Sequence, residues 1–193
     1  MQHKWLANNN QKDFTMRILK GFLLMGLMTF LSSCSGATLD HYKGAEPPLT
    51  LEQYFTGPIK AWGIVQDRSG KVTRRFDVNL VGSWDGNVGT LDEDFTYYDG
   101  EKQKRVWTIK SLDNGKYEGT AGDIIGTADG QIQGNTMRWA YQMDLPVGDK
   151  TYNVTFDDWM FLMNDGVLVN RSYIKKFGVT VAELTLFMQK QDQ

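Results

Sequence analysis

Residues Asp67–Trp107 read DRSGKVTRRFDVNLVGSWDGNVGTLDEDFTYYDGEKQKRVW, and this stretch decides the fold. From 71 to 83 one face carries Val72, Arg74, Phe76, Val78 and Leu80, and the other carries Thr73, Arg75, Asp77 and Asn79. A period of two with one apolar face is the pattern of a half-buried strand. Trp84-Asp85-Gly86-Asn87 and Asp99-Gly100 follow, rich in the residues that accept the positive φ of tight hairpin turns. Between and after them, 88–98 places Gly89, Leu91, Phe95 and Tyr97 on one face, interrupted by Glu93, while 102–112 places Arg105 beside Trp107 and Ile109. The stretch therefore reads as successive antiparallel hairpins with Arg74, Glu93 and Arg105 on an otherwise apolar face.

The same rhythm continues in both directions. Strands are predicted near 59–66, 71–83, 88–98, 102–112, 116–121, 124–129, 131–145, 150–164, 167–176 and 179–190. Further turns are expected at 67–70, 113–115, 147–149 and 164–166, and at Asp129-Gly130. About ten short strands with evenly spaced turns predict an all-β, antiparallel, up-and-down barrel of lipocalin or calycin type, with a two-sheet sandwich as the alternative. Thr50 to Phe55 is expected to form one helical turn.

The inward faces carry the functional question. At 131–145 Met137, Trp139, Tyr141 and Met143 share a face, and at 150–164 Tyr152, Val154, Phe156, Asp158, Met160 and Leu162 do. Alternation puts Asp157 on the opposite side from Asp158. Hairpin geometry is read as bringing Val78 near Glu93, Phe95 near Arg105 and Glu93 near Trp107, so that Arg74, Glu93 and Arg105 converge. Two Arg around one Glu leave a positive charge for a carboxylate or phosphate head group. The alternative is an internal ion-pair brace in a filled core, since an unpaired buried charge is costly. Trp62, Trp84 and Trp159 are assigned either to a closed end or to an outer face.

The N-terminal part reads as a signal. Met16-Arg17-Ile18-Leu19-Lys20 is basic, Gly21–Phe30 is apolar, and Leu31-Ser32-Ser33-Cys34 closes the run. This is the n-region, h-region and cleavage pattern of a secretory signal over 1–33, with the true start at Met16. The apolar run is short for a bilayer crossing. The ending resembles a bacterial lipobox, which implies cleavage before Cys34 and acylation there, and several acyl chains anchor a protein stably. Residues 34–48 are expected to be a flexible tether, and 49–193 a single barrel domain. Ser35 in place of Asp implies sorting to the outer membrane.

Composition excludes several classes. Loss of 1–33 removes four of the 21 basic and one of the 23 acidic residues, leaving 17 against 22, a net charge of −5. No basic cluster remains for a nucleic-acid backbone. Cys34 is the one cysteine, and His41 the one histidine after residue 33, so a disulfide, a thiol nucleophile and a His-based triad are not expected. Asp92-Glu93-Asp94 has part of a calcium-loop pattern but lacks its glycine. No nucleophile–base set is visible, so no enzyme activity and no cofactor are expected.

An ordered set of motifs runs along the chain: Gly63 followed by Asp67-Arg68 and Gly70, Gly82-x-Trp84-x-Gly86, Leu91-x-Glu93-x-Phe95, Arg105-x-Trp107, Phe156-Asp157-Asp158-Trp159-Met160, Asn170-Arg171 and Lys176-Phe177-Gly178. It resembles the bacterial lipoproteins grouped as domain-of-unknown-function family 3833, over nearly all of the chain after the tether. The resemblance implies an envelope lipoprotein of a Gram-negative bacterium, facing the periplasm, and implies no reaction. The expectation is a lipid-anchored binder of an amphipathic ligand such as a fatty acid or phospholipid. The site residues expected are Arg74, Glu93, Arg105, Trp107, Trp139, Tyr141, Phe156 and Asp158. The alternative is an interaction lipoprotein with a solid barrel, whose protein partner the sequence does not name, and a remoter one is a lipid-modifying enzyme or an accessory to one.

Overall fold

Alternating side chains carry the chain through ten antiparallel strands that close into a barrel. The structure, a computed structural model, describes residues 36–191; the signal segment, Cys34 and Ser35 lie outside the described residues. The strands are β1 (Gly57–Asp67), β2 (Val72–Asp85), β3 (Val88–Tyr97), β4 (Lys102–Ser111), β5 (Lys116–Ala121), β6 (Ile124–Gln133), β7 (Thr136–Val147), β8 (Lys150–Leu162), β9 (Val167–Lys176) and β10 (Val179–Lys190). Each pairs with its neighbours in sequence, and β1 pairs with β10 to close the ring. The up-and-down barrel is thus the fold, and closure leaves no sheet edge unpaired.

One turn falls elsewhere than expected. Asp129-Gly130 lies inside β6, and the chain reverses at Gly134-Asn135, with Gly134 at φ 58°. Gly130 is there for packing: it faces Trp139 in the ladder, and a side chain on it would overlap the Trp139 ring.

Register differs from the sequence reading by two residues in two hairpins. Asp85 pairs with Val88 across Gly86-Asn87, so Leu80, not Val78, lies opposite Glu93. The Tyr97 N–H donates to the Glu101 carbonyl at 2.9 Å and closes a three-residue loop, Tyr98-Asp99-Gly100. Glu93 therefore faces Arg105, and Leu91 faces Trp107. A slip of two keeps every side chain on its face, because the strand period is two. It changes only which neighbours meet.

One end of the barrel is closed by its own chain. Leu49, Leu51, Tyr54 and Phe55 are all buried around α1 (Leu51–Tyr54), a single helical turn. Lys190 Nζ donates to the carbonyls of Gln53 (2.9 Å), Tyr54 (3.1 Å) and Thr56 (2.9 Å), which supplies partners for carbonyls the turn leaves free. The Tyr54 hydroxyl donates to the Met188 carbonyl, and Trp84 Nε1 donates to the Phe55 carbonyl. Trp84 thus belongs to the closed end. Trp62 packs on Phe187 outside, and Trp159 is covered by Tyr42, the last residue of a 3-10 turn at Leu39–Tyr42.

Candidate ligand site in the barrel lumen

Inward-facing residues of the strands surround a cavity of about 110 Å³, bounded on one side by Leu51 and Phe55. Its wall is aromatic and methionine-rich. Trp107 meets Trp139 edge-on at 5.6 Å and Tyr141 edge-on at 5.4 Å, distances at which aromatic pairs are attractive. Trp139 is accommodated because Gly119 and Gly130 flank its ring. Phe156 does not line the cavity; it stacks behind Tyr141 at 4.9 Å with the planes 4° apart. Met137, Met160 and Met188 complete an adaptable apolar surface.

Four polar side chains also line the cavity: Glu93, Arg105, Asp158 and Asn170. Burial pushes the Glu93 carboxyl up to about 7; Arg105 opposes this rise, and Asp123, Asp158 and Asp92 add to it. Burial likewise pushes Asp158 up to about 7, against the lowering effect of a Ser172 hydrogen bond and of Arg105. Desolvation also lifts the buried Tyr141 hydroxyl well above its usual range. Burial works against the charge on Arg105, but Tyr141, Glu93 and Asp123 outweigh it and keep the guanidinium protonated.

Arg105 does not present a free fork to a ligand. Its Nε donates to Asp123 Oδ2 at 2.9 Å, and its Nη2 lies 2.7 Å from the same oxygen in an ion pair. Asp123, on the turn between β5 and β6, was not singled out in the sequence. It sits in a Gly-Asp turn without alternation, and its one signal was that an inward Arg requires a partner. Arg74 is also committed elsewhere. Its Nη2 donates to Glu101 at 2.7 Å and Asp99 at 3.2 Å, and its guanidinium lies 3.6 Å from the centre of the Tyr97 ring. Arg74 does not line the cavity and does not meet Glu93. The expected convergence of Arg74, Glu93 and Arg105 reduces to the Glu93–Arg105 pair, because the turn residues Asp99 and Glu101 hold Arg74 at the far end.

The charge balance is thereby reversed from the expected surplus of arginine. Glu93, Asp158 and Asp123 surround the single cation Arg105. Among the described residues, five buried side-chain oxygens have no hydrogen-bond partner: Glu93 Oε2, Asp158 Oδ1 and Asn170 Oδ1 on residues that line the cavity, and Asp92 Oδ1 and Asp123 Oδ1 on residues that do not. Outside the wall, Asp157 accepts from Arg138 Nε at 2.7 Å and from Lys175 Nζ at 2.5 Å. Its carboxyl is lowered because these bonds outweigh its burial. Asp157 and Asp158 therefore stand on opposite faces and form no acid–base pair. Asp92 and Asp94 also point outward, where Lys104 lies 2.9 and 3.8 Å away, so the Asp92-Glu93-Asp94 run is split across the sheet rather than wrapped as a cation loop.

The family model described as protein of unknown function (DUF3833) matches residues 28–190, which includes Cys34 and the whole barrel. No curated protein matches the chain.

Proposed function

The chain belongs to the DUF3833 family, and from that premise we propose that it binds a slender amphipathic molecule in its lumen. The polar end lies among Glu93, Arg105, Asp158 and Asn170, and the apolar part lies along Trp107, Trp139 and Tyr141. The carrying observation is three unpartnered buried oxygens on one cavity. A buried acceptor left without a donor costs about 1–3 kcal/mol, a cost that a barrel serving only as a scaffold has no reason to keep. The cavity limits the ligand. At about 110 Å³ it is smaller than the roughly 300–1,000 Å³ of drug-sized pockets. A fatty acid or phospholipid chain enters only if methionines such as Met137 and Met160 swing aside.

Anchoring belongs to the same proposal. An acylated Cys34 holds the barrel at the periplasmic face of the outer membrane, supported by the signal and lipobox pattern of 16–34 and by Ser35. The small cavity favours a second reading, in which a lipocalin-like barrel is filled and its outer surface meets an envelope partner. Native mass spectrometry of the protein released from envelopes separates the two. The binder is expected to carry a small-molecule adduct that delipidation removes. Repeated absence of any adduct, with Trp107 and Trp139 signals unchanged by delipidation, removes the binder reading and leaves the scaffold.

A further inference from the structure

We propose that the polar group received by the lumen is a primary amine, bound as its ammonium by Glu93 Oε2, Asp158 Oδ1 and Asn170 Oδ1. This rests on the lumen being a binding site and names the chemistry of its ligand's polar end.

The three unpartnered oxygens on cavity-lining residues all accept once Glu93 and Asp158 are ionised. Asn170 Nδ2 donates to Ser172 Oγ at 3.3 Å, which leaves the Asn170 carbonyl oxygen to the cavity. Asp158 and Asn170 are each only 5% exposed, so bulk solvent does not supply their donors. A primary ammonium carries three N–H donors and no acceptor, and so complements three acceptor oxygens.

Electrostatics points the same way. The one cation on the cavity, Arg105, has two of its nitrogens on Asp123. An anionic head group in the site faces the Glu93 and Asp158 carboxyls against a guanidinium already paired with Asp123. An ammonium instead adds positive charge where carboxyls outnumber the guanidinium, and it favours their ionised forms. The Trp107, Trp139 and Tyr141 rings add apolar surface for a short carbon chain, and aromatic faces attract cations. A quaternary ammonium lacks N–H donors and leaves the three oxygens unsatisfied. The site therefore separates primary amines both from anions and from quaternary amines. The amine comes either from a free alkylamine or from the head group of a lipid.

Hexylamine, hexanoate and hexyltrimethylammonium of equal chain length test this in the full barrel, followed by the indole NMR signals of Trp107 and Trp139. Hexylamine is expected to bind about tenfold or more tightly than either control. Glu93→Gln and Asp158→Asn, which keep side-chain volume, are each expected to erase that preference. Hexanoate binding as tightly as hexylamine overturns the amine and leaves the lumen site standing. If no probe moves either indole signal, the site itself falls. The ratio in the unsubstituted protein decides the matter even if a variant does not fold. Dihexanoylphosphatidylethanolamine against dihexanoylphosphatidylglycerol then identifies the source: a response to the former alone assigns a lipid head group, and a response to neither assigns a free amine.

Discussion

Asp157 and Asp158 are adjacent in β8, yet one side chain faces Arg138 and Lys175 on the outer wall and the other faces the lumen. The outer carboxyl is held below its usual range and the inner one is pushed up to about 7. The chemical group is the same, so the difference comes from what a strand's two faces meet. Outside, two cations within hydrogen-bond distance favour the charged form. Inside, desolvation dominates and Arg105 is shared among several carboxyls. The arginines repeat the contrast. Arg74 is paired at the solvent-accessible end, and Arg105 is paired deep in the wall, its side chain 16% exposed. On β8 the outer carboxyl is saturated and the inner one is not, and the unsaturated one is the one that can select a ligand.

The largest break in this comparison is expected from Arg105→Met. It leaves Glu93, Asp123 and Asp158 without their cation, and removing one partner of a buried pair costs about 3 kcal/mol or more. Urea unfolding checks this, against Arg74→Met as the control. Next is Asp158→Asn, which removes a carboxyl that is costly to ionise; the variant is expected to be more stable at pH 8 by roughly 2 kcal/mol. Asp157→Asn is expected to act in the opposite sense, losing about 1 kcal/mol at pH 7 as Arg138 and Lys175 lose a charged partner. Smallest is Arg74→Met, with about 0–1 kcal/mol for an exposed pair.

The pH dependence sharpens the contrast further. Glu93 and Asp158 have native values near 7 against ordinary values of 4.5 and 3.8. The native state therefore binds more protons than the unfolded state in between, and their contribution to stability is full below about pH 4 and is lost as pH rises through 7. Arg105, Asp123 and Ser172 act on this pair from nearby, and Asp92 and Asp157 act on it electrostatically from the outer face. Asp157, lowered instead, contributes stability above its ordinary value that is lost in stronger acid. Melting temperature is expected to fall from pH 5 to pH 8 in the wild type, and this slope is expected to flatten in Glu93→Gln and Asp158→Asn.

Much of the barrel was legible because alternation is a local property. Phe76, Val78 and Leu80 in β2, and Met137, Trp139 and Tyr141 in β7, declare their face without knowledge of any partner. The inward placement of Glu93, Arg105 and Asp158 was readable for the same reason. Register was not, since a two-residue shift preserves every face, and the Asp99-Gly100 pair alone does not say at which residues pairing starts on either side of the loop. Electrostatic partners were harder still. Asp99, Glu101 and Asp123 sit on turns, where no periodicity marks them, yet they decide which arginine is free. Gly130 shows the converse error: Asp-Gly reads as a turn, but the missing side chain makes room for Trp139. The size of the lumen was beyond reach, because it depends on how Leu51 and Phe55 close one end and on how Trp107 and Trp139 divide the interior.

The most direct test of the account is a carboxyl-carbon NMR titration of Asp157, Asp158 and Glu93, run with and without hexylamine. The expected result is midpoints near 7 for Asp158 and Glu93 that move down when hexylamine is added, beside an Asp157 midpoint below its ordinary value that does not respond. Asp158 and Glu93 titrating in the ordinary carboxylate range, indifferent to the amine, would contradict it.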